Sequence, residues 1–90
     1  MSGFAQRTLP QGVQLGKISR EVFDALARFT SFPWPVMQAQ CRREELDPTA
    51  LTKSDVERLL PHLATAVARF TSPEKGEQVA EALRAIVNAS

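Results

Sequence analysis

Residues 51–70 read LTKSDVERLLPHLATAVARF, and they carry the strongest helical signal in the chain. Val56, Leu59, Leu60, Leu63, Val67 and Phe70 recur at helical spacing and make one broad apolar stripe. Asp55, Arg58, His62, Thr65 and Arg69 fall on the opposite face. The opening of the stretch fixes where the helix starts. Leu51 precedes a capping Thr52, and Val56 occupies the fourth helical position, which is the hydrophobic-staple arrangement. Thr52-x-x-Asp55 resembles a capping box with Asp in place of Glu. Pro61 lies inside the run, where it removes one backbone bond at a cost of about 3 kcal/mol in a straight helix. The apolar period passes through it without a phase jump. The spacing therefore predicts one helix over 53–70, kinked at Pro61, rather than two shorter ones.

The same design recurs outward from this stretch. Ile18-Ser19-Arg20-Glu21-Val22-Phe23 has a Ser able to cap, with apolar residues placed as in 51–56. It predicts a helix over about 20–30 with Val22, Phe23, Leu26 and Phe29 inward. Ser72-Pro73-Glu74 puts a capping hydroxyl before a Pro at the first helical position and predicts a helix over 73–88, with Val79, Leu83, Ile86 and Val87 inward. Between them, Phe32-Pro33-Trp34-Pro35 ends the first helix, because a residue before Pro is driven out of the helical region. Pro35 then starts a helix over about 36–46, with Val36, Met37 and Cys41 as its apolar positions. The fold class is all-α, a small four-helix bundle-like domain over 18–90. Residues 1–17, with three glycines and a proline, form an extended N-terminal arm. The arm is either flexible or docked through Phe4, Leu9, Val13 and Leu15. Val13–Ile18 alternates apolar and polar like a strand but is too short to make one.

Ala25–Ser31 (ALARFTS) and Ala66–Ser72 (AVARFTS) differ only at one position. Each closes an apolar helix. The flanks do not match, so the echo reads as convergent use of a helix-ending sequence, not a duplication.

Size and composition bound the function. Ninety residues make one domain with a thin stability margin. The 43% hydrophobic fraction suits a globular chain. Eleven basic against 10 acidic residues leave a net charge of +1, which argues against a dedicated nucleic-acid binder. A single cysteine excludes an intramolecular disulfide and a cysteine-rich zinc site. No apolar run approaches the roughly 18 residues of a membrane span, and the N-terminus lacks the pattern of a signal peptide. The expected address is cytoplasmic. Eight arginines to three lysines, with abundant Ala, suggest a bacterial source of high GC content.

No catalytic, metal or cofactor signature stands out. His62 is the only histidine and has no second ligand at metal spacing. Its following residues, Leu63-Ala64-Thr65-Ala66, lack the Lys and Gly of phosphoryl-accepting helical bundles. Cys41 reads as a small buried thiol. Gly76 weakens the first turn of the last helix by up to about 1 kcal/mol.

Two functional expectations follow. The first is a non-catalytic protein–protein interaction module, an oligomeric adaptor or small subunit of a bacterial assembly. Its contact residues would be Phe32, Trp34 and Met37, with Trp34 held rigid between two prolines as an aromatic anchor. The double-width stripes at 22/23, 59/60 and 86/87 exceed what so small a bundle is expected to cover, which predicts a homodimer. The second is a small helix-turn-helix DNA-binding regulator in which Arg42, Arg43, Lys53 and Arg58 would meet phosphates or bases. Against it, Glu44, Glu45, Asp47, Asp55 and Glu57 interleave with those cations.

Overall fold

The computed structural model describes residues 12–89. Phe4 and Leu9 of the arm lie outside the described residues. The described chain forms four helices: α1 Lys17–Ala27, α2 Pro33–Arg43, α3 Lys53–Phe70 and α4 Pro73–Asn88. They close a ring of pairings. α3 and α4 form the principal pair, α2 packs on α3, α1 packs on α2, and α4 returns to pack on α1. Val22 and Leu26 of α1, Met37 and Cys41 of α2, Leu59, Leu63 and Val67 of α3, and Val79 and Leu83 of α4 meet in one fully enclosed core.

The start of α3 follows the sequence closely. The Thr52 hydroxyl accepts from Asp55 N–H at 3.2 Å, and the Asp55 carboxylate accepts from Thr52 N–H at 3.0 Å, so the capping box is complete. Leu51 and Val56, the two halves of the staple, are both buried. α3 runs without a break through Pro61. Pro61 and Glu57 both face solvent, so water is at hand for the carbonyl that Pro61 cannot serve. Buried Leu59 and Leu63 on either side hold both halves in the core. At α4, the Ser72 hydroxyl accepts from Lys75 N–H at 3.3 Å, with Pro73 at the first position.

The first two helices lie about one turn earlier than their sequence spacing predicts. α1 is capped at Gly16, not Ser19. Gly16 N–H donates to the Thr49 carbonyl at 2.9 Å, and the Gly16 carbonyl accepts from Arg20 N–H at 2.9 Å. Ser19 sits inside the first turn, fully buried, and its hydroxyl accepts from Leu51 N–H at 2.8 Å. Its capping role is thus replaced by a tertiary one. Leu15 and Ile18 pack on the core edge, so the end of the arm is docked from there onward.

α2 starts at Pro33 because a helix's first N–H groups have no intrahelical partner, and Pro33 and Pro35 both fall in that turn. The preceding Thr30 hydroxyl accepts from Phe32 N–H at 3.1 Å and fixes the corner. At the other end, Leu46 N–H donates to the Cys41 carbonyl at 2.8 Å and Glu45 N–H to the Arg42 carbonyl at 3.2 Å. This is a Schellman closure, and it puts Glu45 at φ 58°, the left-handed region where Gly is usual.

Gly76 has a clear role. A Cβ there would sit 2.8 Å from the Ala64 carbonyl oxygen and 2.8 Å from the Ala68 Cβ. α4 therefore crosses α3 too closely for any side chain at this position.

The echoed heptads end differently. α1 stops at Ala27, and Phe29 turns back half-buried beneath Arg28, whose guanidinium lies 5.9 Å from the ring centre. α3 stays helical through Phe70, which is 74% exposed. The Thr71 hydroxyl then donates to the Val67 carbonyl at 2.7 Å.

Candidate functional site

The broad stripes are covered within one chain. Phe23 and Ile86 are buried, and Leu60 and Val87 are half-buried against the core. Stripe width therefore gives no support to the expected homodimer. Among the described residues, the large apolar side chains left exposed are Phe70 and, at 45%, Phe32. Phe70 has the greater exposure and the more developed surroundings, so the candidate site is built around it.

Phe70 is placed in water by its position at the end of α3. The apolar period delivers Leu63 and Val67 to the core, but Phe70, in the same phase at the helix end, is left uncovered. On one side lies a groove between α2 and α3 of about 280 Å³, lined by Gln40, Arg43, His62, Thr65, Arg69 and Phe70 itself, with Ala66 at its base. The Gln40 Oε1 is buried with no hydrogen-bond partner among the described residues. Between α3 and α4, on a face of α3 turned away from Phe70, lies a separate shallow hollow of about 260 Å³. Its walls are Ala64, Ala68, Pro73, Gly76 and Ala80, with Glu77 at the rim; Thr65 borders both depressions. The hollow exists because Gly76 and the alanines keep the α3–α4 surface low.

Charge on this surface is only partly paired. Glu44, at the end of α2, meets Arg58 at 3.1 Å and His62 at 3.5 Å, one turn apart on α3. Among the described residues, Arg43, Arg69 and Glu77 have no opposite charge within 4.0 Å. Arg43 and Arg69 stand in the last turns of their helices, where a cation suits the exposed carbonyls.

The residues read from sequence as a partner surface are not brought together. Phe32 is exposed, Trp34 is half-buried against the core, and Met37 is fully enclosed. Met37 cannot contribute a surface contact without unfolding α2. Phe70 was missed because it lies in phase with the core stripe. Helical phase alone cannot show where the covering helix ends.

The four cations of the helix-turn-helix reading are also dispersed. Arg42 borders a hollow with Glu45, Leu46 and Pro48, Arg43 borders the groove beside Phe70, and Arg58 is engaged by Glu44. Lys53 is half-buried at the start of α3. Residues 44–52 separate α2 from α3, a longer connection than the three or four residues usual for that motif.

Cys41 is fully buried. Burial, with smaller contributions from the charges of Asp55 and Asp47, pushes its thiol up to about pKa 11. At neutral pH it is an unreactive thiol. Asp47 is exposed and held below the usual carboxylate range by the Thr49 hydroxyl at 2.7 Å, and secondarily by Thr49 N–H at 2.9 Å, which shapes the turn before α3. Among the described residues no three His, Cys, Asp or Glu side chains gather as a metal site. No described helix is long and apolar enough to cross a membrane.

The chain matches no protein-family model, and comparison with curated proteins and with solved structures yields no match.

Proposed function

We propose that this chain is a non-catalytic protein–protein interaction module, an oligomeric adaptor or small subunit of a bacterial assembly working in the cytoplasm. The observation that carries the reading is Phe70, 74% exposed at the end of the helix that otherwise supplies the core. A large aromatic in water costs solvation free energy that contact with a partner recovers, and aromatic anchors dominate binding energy at interfaces. The groove between α2 and α3 that Phe70 itself lines offers room for a partner's side chains. Phe32 is a second exposed aromatic, and Trp34 stiffens the corner beside it.

The helix-turn-helix regulator has less support, given the length of 44–52 and the dispersal of Arg42, Arg43, Lys53 and Arg58. Affinity capture from the source organism, followed by native mass measurement, tests the proposal. A protein partner should be retained by the wild type and by Arg42→Glu, and released at least tenfold more readily by Phe70→Ala. Retention that is insensitive to Phe70→Ala and Phe32→Ala, together with steeply salt-dependent DNA binding, would overturn it.

A further inference from the structure

We infer that the groove between α2 and α3 seats an acidic segment of a protein partner, with a carboxylate between Arg43 and Arg69 and an apolar neighbour against Phe70; this takes the interaction-module reading as its premise and names the partner's chemistry. His62, Thr65, Ala66 and Arg69 follow one another at helical spacing, which puts them on one face of α3. Gln40 and Arg43, one turn apart on α2, form the facing wall. The groove of about 280 Å³ thus has a guanidinium on each wall and no carboxylate in its lining.

Neither arginine is answered within the chain. Among the described residues, each lacks a carboxylate within 4.0 Å. Glu44, next to Arg43 in sequence, is taken by Arg58 and His62. The helix ends do not require them either. Arg42 shares the last turn of α2, and the Thr71 N–H and hydroxyl both donate to the Val67 carbonyl at the end of α3. Two like charges on opposite walls of one concavity repel, and concave walls focus their field, so a bound anion relieves a repulsion that the free chain carries. Residues 1–11 hold one arginine and no Asp or Glu, so the arm brings no carboxylate side chain to the groove.

The rest of the lining selects a peptide over a bare anion. Phe70 gives phosphate nothing to bind, but it offers an apolar side chain a ring in water. Gln40 and Thr65 can each donate and accept, as a peptide backbone does. The Gln40 Oε1 has no hydrogen bond among the described residues to lose by turning toward an occupant. A guanidinium and a carboxylate match as a planar, two-bonded pair. A nucleic-acid backbone would need further cations in line with these two, but Arg42 borders a different hollow and Arg58 is engaged by Glu44.

An NMR titration of the full chain at low ionic strength tests this with two peptides, Ser-Gly-Glu-Leu-Glu-Gly-Ser and its counterpart with Gln for both Glu, each capped at both ends. The Glu peptide should bind more tightly and move the amide signals of Arg43, Thr65, Arg69 and Phe70. Arg43→Gln and Arg69→Gln should each weaken it by about fivefold, the scale of an exposed charge contact, and leave the Gln peptide unchanged. Phe70→Ala should weaken both peptides. All three positions are exposed, so each variant should fold, which circular dichroism checks. Equal affinity for the two peptides overturns the inference, as do shifts confined to other faces or binding indifferent to both arginine variants. Inorganic phosphate that occupies the groove as tightly as the Glu peptide overturns the peptide as occupant. A chain that discriminates neither peptide, yet captures a protein through Phe70, loses the acidic partner and leaves the interaction-module reading standing.

Discussion

The hydroxyl of Ser19 accepts a 2.8 Å hydrogen bond from the backbone N–H of Leu51, a residue 32 positions away. Both residues are buried, and the bond joins the first turn of α1 to the entrance of α3. The Gly16–Thr49 backbone bond at 2.9 Å reinforces the same corner. Together they fix the first turn of α1 against the entrance of α3.

Ser19→Ala should therefore cost more than loss of an ordinary helix cap. It leaves the Leu51 N–H buried without a partner, a penalty of about 1–3 kcal/mol. Urea denaturation would read this as a lower midpoint. A variant as stable as wild type would mean that the corner relaxes to let water reach Leu51.

Gly76→Ala is expected to destabilise, although Ala is the better helix former by about 1 kcal/mol. The new Cβ would lie 2.8 Å from a backbone oxygen that cannot rotate away, so α4 must shift off α3. Overpacking of this kind costs about 1–3 kcal/mol. A net loss of up to roughly 2 kcal/mol in chemical denaturation is expected. A gain in stability would show that the helices separate freely.

Glu45→Gly should stabilise. Glu45 holds φ 58° to complete the α2 closure, a conformation costing a non-glycine residue about 1–2 kcal/mol. Part of that gain is offset by the greater freedom of Gly in the unfolded chain, leaving about 0.5–1 kcal/mol. Glu45→Ala, which keeps the strain, should change the thermal midpoint little. Equal effects of the two substitutions would locate the change in the lost carboxylate instead.

Cys41 links stability to alkaline pH. Its thiol titrates near 9 when unfolded and near 11 when buried. Below pH 9 it is protonated in both states, and its contribution is fully present. Between pH 9 and about 11 only the unfolded chain loses the proton, so stability falls by a total of roughly 2–3 kcal/mol. Denaturation midpoints over this window should drop more steeply for wild type than for Cys41→Ala. Parallel slopes would place the thiol in solvent.

What residues 51–56 and 72–74 determined by themselves were the starts of α3 and α4, because a cap and its staple act over a few neighbouring positions and need no distant partner. The apolar period likewise determined which faces of all four helices turn inward, and hence the all-α class. The tertiary structure decided the rest. It drew α1 back a turn by bonding Ser19 and Gly16 to a loop more than thirty residues away, and it admitted Pro33 and Pro35 together into one helical turn. It also made opposites of two nearly identical heptads. Phe29 is half-buried and Phe70 is in water, because a core covers a residue only where another helix reaches it. Phase along one helix cannot say where cover by other helices ends, so Phe70 was read with the core stripe but lies in water, while Met37, an apolar position of α2 also offered as a partner contact, is wholly enclosed.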